Sequence, residues 1–375
     1  QGIAGVVPHA MAVSPQDPYE IYVSTASSGI LTSNNGGQSW QETGTARYIT
    51  PGWPKEEGVL AFDHVTPTRL YLGDRCPNSP YDVPCVRISE DGAQSWNDIS
   101  LPVPAEFGEL DGETYAVAPH PNRPGHVLAG VSFHPGFDNA ETKGTIYASE
   151  DYGNTWVPVT TTQPISAVTH FAHDALDADT IYAGTSGTGL WKSSDGGANW
   201  QPMASWPGCS QIIVLAAHPH RSGWLYAQGK WEGGICESRL LFSSDGGETW
   251  QVLQDDVDLD LRKFLVMPDN TSTLYVGSSG SGMYRSRDNG QTWEHIASLP
   301  GDAIVYALAA GMDEERVVLY VASSAGLATS AAQADNAGIV AAEIIPGVDS
   351  VMNAGVYRLS TRRLNQRTYL PLVLR

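Results

Sequence analysis

The chain has 375 residues, and its 41 acidic side chains outnumber its 21 basic ones, which gives a formal net charge of −20. Because so acidic a surface repels phosphate backbones and anionic lipid headgroups, the composition argues against nucleic acid as a partner. The same charge favours a monomer without excluding assembly. The sequence also lacks any apolar run of about 18 residues, which argues against insertion into a membrane.

Short apolar runs bounded by Gly, Pro and Asp recur from the start of the chain and predict β-strands. In the first unit, HAMAVSP at 9–15 ends in a proline corner, EIYVST at 20–25 follows, and a third run leads into SNNGGQSW at 33–40. A fourth short run closes the unit. The same order returns along the chain, so each unit is predicted to hold four antiparallel strands.

The octet after the third run recurs with the pattern S-x-D-x-G-x-[ST]-W. Its Asp accepts hydrogen bonds from its own turn, its Gly permits a positive φ, and its Trp offers a large apolar face. Every one of these roles is local folding chemistry and needs no substrate. The six copies begin at 33, 89, 149, 193, 243 and 286, with Asn35, Asp91, Asp151, Asp195, Asp245 and Asp288 in the Asp place and Trp40, Trp96, Trp156, Trp200, Trp250 and Trp293 in the Trp place.

These octets resemble the Asp-box (BNR) repeats of propellers of the sialidase, sortilin and xyloglucanase type and of photosystem-assembly factors. The resemblance implies an all-β, seven-bladed β-propeller with four antiparallel strands per blade and Asp-box turns between strands three and four. The runs AIVYALAAG, VVLYVASS and GVYRLST predict a seventh blade without a clear octet. Residues 1–375 then form one domain, with blades at about 9–43, 58–100, 113–160, 167–203, 209–254, 260–297 and 303–375.

The last predicted blade contains an Ala-rich insertion at 325–354. It ends in TYLPLVLR at 368–375, which is either a closing strand or a tail outside the fold. The alternating apolar residues of this segment favour a strand, and its proline favours an edge position.

Four cysteines form two local pairs, which suits an oxidising compartment. In blade geometry each pair maps to one face of a single blade, so we expect disulfides Cys76–Cys85 and Cys209–Cys236 rather than four free thiols. A first residue Gln1 is compatible with a mature end left after removal of a signal peptide. The chain is therefore expected to be secreted, either extracellular or on the cell surface.

Long links at 73–85, 130–144 and 229–239 and long inter-blade loops at 43–58 and 101–113 decorate the predicted face opposite the octets. Loops on a rigid scaffold carry function more often than the scaffold does. Several further acids lie in these loops, including Asp82 and Glu113, and Arg75 maps to the same face. The candidate ligand-binding residues are Trp53, Glu57, Asp74, Tyr81, Glu109, Asp111, His134, Trp231 and Arg262.

Two functions compete for this face. The first is a non-enzymatic binding or scaffold propeller, secreted or on the cell surface, that takes a protein or glycan ligand. It is favoured because no catalytic signature stands out and no catalytic residue is assigned. The alternative is a polysaccharide-directed glycoside hydrolase or lyase that uses paired carboxylates in the central funnel. Against the alternative, the arginine motif typical of sialidases is missing, and xyloglucanases of this type use two facing propellers.

No cofactor is expected. The run DDVDLD places Asp256, Asp258 and Asp260 at alternate positions and resembles the start of a calcium loop, but the Gly and the later Glu of such a loop are missing. A simple acidic loop is favoured over calcium. His170 and His173 are three apart, which puts them on opposite faces of a strand and argues against zinc.

Overall fold

The computed structural model describes residues 8–25, 29–43, 60–76, 82–108, 110–134, 143–230, 239–253, 261–269, 272–296, 303–312, 316–323, 338–340 and 356–362. Apart from a 3-10 turn at Ala105–Phe107, the regular structure in these ranges is all β. The chain divides into two compact units, one made of Gln1–Pro51, Leu259–Asn289 and Trp293–Arg375 and the other of Gly52–Asp258 and Gly290–Thr292.

The strands of the first three sheets follow chain order. The first sheet holds β1 (Pro8–Val13), β2 (Ile21–Thr25), β3 (Gly29–Ser33) and β4 (Gln41–Thr43). The second holds β5 (Leu60–Phe62), β6 (Leu70–Cys76), β7 (Val83–Ser89) and β8 (Asn97–Ser100). The third holds β9 (Asp111–Pro119), β10 (Val127–His134), β11 (Lys143–Ser149) and β12 (Val157–Pro158).

The next three sheets repeat the arrangement. The fourth holds β13 (Thr160–Thr161), β14 (Val168–His173), β15 (Ile181–Thr185), β16 (Leu190–Ser193) and β17 (Asn199–Pro202), with β13 added in parallel beside β17. The fifth holds β18 (Gln211–Ala217), β19 (Leu225–Lys230), β20 (Leu240–Ser243) and β21 (Gln251–Val252). The sixth holds β22 (Leu261–Val266), β23 (Leu274–Ser278), β24 (Met283–Ser286) and β25 (Glu294–His295).

These six sheets are regular propeller blades, so the all-β class and the four antiparallel strands per blade are confirmed. The last sheet is different. It holds β26 (Val305–Met312), β27 (Arg316–Ser323), β28 (Gly338–Val340) and β29 (Val356–Arg362). Both β28 and β29 pair with β27, and they run parallel to each other.

The prediction of seven blades is therefore wrong, because the described residues form six regular blades and one irregular sheet. The physical reason is the missing octet. In the described residues of this sheet, β27 pairs both with β29 and with β28, a segment of the Ala-rich stretch. The segment 368–375 lies outside the described residues, so its two interpretations stay open.

The core consists of the faces that neighbouring blades press together. In the second unit, Tyr71, Val86 and Ile88 of one blade pack with Val117 and Phe133 of the next. In the first unit, the first blade packs on the irregular sheet through residues such as Ile21, Val318 and Tyr320. Burial of these side chains stabilises the fold by about 1.5–3 kcal/mol for each large apolar residue.

The octets form the turns between the third and fourth strands of the blades. In the copy at 193–200, Ser193 donates to Asp195 at 2.8 Å and accepts the Gly197 N–H at 2.9 Å. Asp195 also accepts the Asn199 N–H at 2.9 Å, and the Trp200 indole donates to the Gly197 carbonyl at 2.9 Å. The turn is thus closed by its own side chains.

The variant octets keep this geometry. Asn35 accepts the Ser39 N–H at 2.9 Å in place of a carboxylate. Ala93 takes the positive φ of the glycine place, at 68°, and accepts the strain of a left-handed backbone there. The hydrogen bonds that the Asp245 carboxylate accepts lower its pKa to about 2, and the bond from the Thr249 side chain is the largest cause. These carboxylates are structural groups.

Candidate functional site

A disulfide and a set of charged side chains lie where β6 ends and where β7 and β9 begin. The bond Cys76–Cys85, with a Cα–Cα distance of 5.6 Å, ties the end of β6 to β7. Cys209 is also disulfide-bonded, and its predicted partner Cys236 lies outside the described residues. The disulfide therefore joins β6 to β7 at the base of the 73–85 link. The pairing of Cys209 with Cys236 stays a prediction.

Arg75 lies between two carboxylates from different chain segments. Its guanidinium contacts Glu113 Oε2 at 2.9 Å and Asp82 Oδ2 at 3.4 Å. Glu113 is 3% exposed, whereas Arg75 and Asp82 are 20% and 31% exposed. Burial opposes the charge on Arg75, but the adjacent carboxylates of Glu113 and Asp82 outweigh it and raise the pKa of Arg75. We call Arg75, Asp82, Asp111 and Glu113 the Arg75 cluster.

Asp111 joins the cluster through the backbone. Its Oδ1 accepts the Asp82 N–H at 3.0 Å, and the Gly112 N–H donates to the Asp82 carbonyl at 2.9 Å. Gly112 permits this approach because a Cβ there would lie 2.4 Å from Cδ of Pro84. The start of β9, with the half-buried Asp111 as its first residue, is therefore held against the start of β7.

His134 is brought to the same place by strand register. It ends β10, and its Cα is paired with that of Asp111 across the antiparallel ladder. The imidazole is half-buried. The structure thus brings together two of the residues proposed from sequence, Asp111 and His134.

Asp74 has a different environment. It is buried, and its Oδ2 lies 3.1 Å from Nε of Arg87, which also contacts Asp98 at 3.4 Å. An arginine buried in the middle of a strand requires a counter-charge. Asp74 supplies that charge, so it holds the blade together rather than facing a ligand.

An aromatic residue that the sequence did not single out lies beside the cluster. Phe107, in the 3-10 turn, has its ring centroid 4.7 Å from that of Phe133, the residue paired with Gly112 across the ladder. Lys143 Nζ lies 5.7 Å from the centroid of Phe107. The composition of the 101–113 loop carried no periodic signal that could have found this contact.

Several sequence-predicted residues lie outside the described residues, namely Trp53, Glu57, Tyr81, Glu109 and Trp231, and also Asp256, Asp258 and Asp260. Of Arg262 only the backbone, in β22, is described. No group of three or more His, Cys, Asp or Glu side chains able to hold a metal ion occurs among the described residues. In the same ranges, no helix is long and apolar enough to cross a membrane.

The fold and the octet turns define an Asp-box repeat β-propeller. The BNR/Asp-box repeat model matches residues 284–295, and the Sortilin-Vps10 model (sortilin, neurotensin receptor 3) matches 144–279. The recognition made from the octets is therefore confirmed.

The chain is similar to curated xyloglucanases. It is 27% identical over 267 residues to a xyloglucanase of a Paenibacillus species, a match that covers 66% of this chain and 23% of the relative. It is 25% identical over 305 residues to a probable oligoxyloglucan-reducing end-specific xyloglucanase of Neosartorya fischeri, covering 66% of this chain and 35% of the relative. The chain thus spans about a quarter to a third of the length of these relatives.

Solved structures share the fold. An ancestral GH74 enzyme matches with a TM-score of 0.59 at 20% identity, over 86% of this chain and 45% of the other. YCF48 from Cyanidioschyzon merolae matches with a TM-score of 0.55 at 15% identity, over 86% of this chain and 94% of the other. At these identities the likeness shows the propeller fold alone.

The expectation of a non-enzymatic binding or scaffold propeller is contradicted by these relatives, which favour the glycoside hydrolase alternative. The objection that xyloglucanases use two facing propellers also loses its force, because this chain matches only part of each relative. The physical reason for the error is that the octets, the strongest sequence signal, are folding turns that carry no information on catalysis.

Proposed function

We propose that this chain is a propeller of a polysaccharide-directed glycoside hydrolase that acts on a xyloglucan-type β-glucan. The observation that carries the proposal is the similarity to two xyloglucanases, each over 66% of the chain. The disulfide Cys76–Cys85 fits a secreted enzyme, because disulfides persist in oxidising compartments.

The Arg75 cluster has the chemistry that a sugar-binding subsite requires. Carboxylates accept hydrogen bonds from sugar hydroxyls, and the guanidinium donates to them. Glu113 is buried and orients Arg75, while Arg75, Asp82 and Asp111 are half-buried at the end of the strands. A rigid base with a few converging polar groups is the usual form of a ligand site.

Asp111 is the carboxylate that we propose for contact with the substrate. Glu113 and Asp82 are engaged by Arg75, whereas Asp111 is oriented by a backbone N–H and faces His134 across the ladder. Glycoside hydrolysis needs a second carboxylate about 5–10 Å away. Glu109 precedes Asp111 by two residues and is the proposed partner.

The proposed aromatic contacts come from residues of the long loops that lie outside the described ranges. Tyr81 immediately precedes Asp82, and Trp53 and Glu57 lie in the loop before the second blade. Trp231 lies in the long link of the fifth blade. Flat aromatic side chains pack on sugar rings, and we propose these three aromatic residues as ring platforms, with a glycan as the partner.

The proposal is tested by incubating the purified chain with xyloglucan and measuring the reducing ends released, with cellulose as the comparison polymer. Affinity electrophoresis in a gel containing xyloglucan measures binding separately. We expect release from xyloglucan, with Asp111→Asn losing it and the exposed control Glu42→Gln retaining it. If the wild-type chain binds xyloglucan but releases no reducing ends, the hydrolase assignment is overturned. If it neither binds nor releases, the glycan assignment is overturned as well.

A further inference from the structure

Three histidines cluster at the other end of β9, away from the Arg75 cluster. His120 follows β9, His126 precedes β10, and His173 ends β14. The ring centroid of His120 lies 5.5 Å from that of His126 and 5.4 Å from that of His173, both edge to face. The cluster therefore spans the corners of two neighbouring blades.

Both ring nitrogens of His126 face hydrogen-bond acceptors. Nδ1 lies 2.8 Å from Glu150 Oε1, and Nε2 lies 2.6 Å from the carbonyl oxygen of Gly196 in the octet turn of the next blade. The His126 side chain is only 4% exposed, so little water reaches its ring. A neutral imidazole carries one N–H, and its other nitrogen would turn a lone pair toward an acceptor. Only an imidazolium satisfies both contacts.

Two carboxylates and one guanidinium surround the His126 imidazole. Glu150 and Asp179 supply the negative charge, and Arg123 lies between them at 3.2 Å and 3.6 Å. Asp179 also lies 3.3 Å from Nε2 of His120. Three cationic or titratable neighbours therefore compete for two carboxylates.

The other two histidines of the cluster are neutral at neutral pH. Burial, followed by the charge of His126, lowers the pKa of His120. Burial is the largest of the causes that lower the pKa of His173 to about 4, and the hydrogen bond with the Ala178 carbonyl opposes it.

We propose that His126 is an imidazolium clamp that joins the corner between β9 and β10 to the octet turn at 193–200, which makes the contact between these two blades depend on a proton. Gly196 fits this role because a Cβ there would lie 2.4 Å from NH1 of Arg123, so the turn comes close to the corner. Removal of one ring proton from His126 breaks its bond either to Glu150 or to the Gly196 carbonyl, and turns a nitrogen lone pair toward that acceptor oxygen. The clamp is therefore weakened by alkali, independently of the proposed enzymatic activity.

The test is nitrogen NMR of the histidine-labelled chain combined with thermal unfolding across the neutral to alkaline range. We expect both ring nitrogens of His126 to show the shift of protonated nitrogen, and the unfolding midpoint to fall as the proton is lost. His126→Gln lowers the midpoint at neutral pH and abolishes this alkaline fall, whereas the exposed control His295→Gln keeps it.

A spectrum with one unprotonated ring nitrogen at His126 overturns the proposal. So does an alkaline fall of equal size in wild type and His126→Gln. If His126→Gln does not fold, the nitrogen shifts of the wild-type chain decide the matter alone.

Discussion

The buried ion pair of Asp74 and Arg87 gives a direct test of whether Asp74 has a structural role or a ligand-binding role. Both side chains are buried, and Arg87 Nε lies 3.1 Å from Asp74 Oδ2. Removing one partner of a buried ion pair costs about 3–5 kcal/mol, because the other charge is left without compensation. Asp98 also contacts Arg87 at 3.4 Å, but it is 53% exposed and screened by water. We therefore expect Asp74→Asn to lose about 2–4 kcal/mol of the free energy of unfolding.

Urea unfolding followed by tryptophan fluorescence measures this loss. The double variant Asp74→Leu/Arg87→Met replaces the pair by apolar side chains and is expected to recover most of the loss, since no buried charge remains. A loss below about 1 kcal/mol for Asp74→Asn would refute the structural assignment. So would a double variant as unstable as the single one. Binding of xyloglucan by the double variant is expected to match wild type.

Three further predictions concern the stability contributions of Gly112, Ser243 and His173. Gly112→Ala places a Cβ 2.4 Å from Pro84 and is expected to destabilise the fold by about 1–3 kcal/mol in urea unfolding, whereas Gly108→Ala, with only ordinary contacts, is its control. Ser243→Ala leaves the Gly247 N–H unbonded and costs about 1–3 kcal/mol by the same assay. His173 has a folded-state pKa of about 4, below its ordinary 6.5, so the unfolded chain binds more protons between these values. The contribution of the neutral imidazole to the free energy of unfolding is complete above pH 6.5 and is lost as the pH falls through about 4, a change of up to about 3 kcal/mol. His173→Leu is expected to remove this change from acid unfolding curves.

The parts of the fold that depend on local chemistry could be predicted from the sequence. Each octet closes its own turn, as Ser193, Asp195 and Trp200 do in one copy, so the pattern predicts a hairpin wherever it occurs. The disulfide Cys76–Cys85 was predictable for the same reason, because both cysteines lie in one link.

The parts that depend on contacts between distant segments could not be predicted. Arg75 and Glu113 are 38 residues apart, and only the pairing of whole blades brings them within 2.9 Å. The same holds for His126 and Gly196, which are 70 residues apart. The last sheet lacks an octet, and its strands β28 and β29 pair with different parts of β27, residues 321–323 and 316–320, an arrangement that no local pattern specifies.

The central claim, a glycan-directed hydrolase site at the Arg75 cluster, is tested most directly by the reducing ends that the chain releases from xyloglucan. The account predicts release by the wild-type chain and by Glu42→Gln, and a loss of at least about 100-fold in Asp111→Asn, the factor typical of removing a group in general acid–base catalysis. Equal release by Asp111→Asn and wild type would contradict the placement of the site. No release and no binding by the folded wild-type chain would contradict the proposed function.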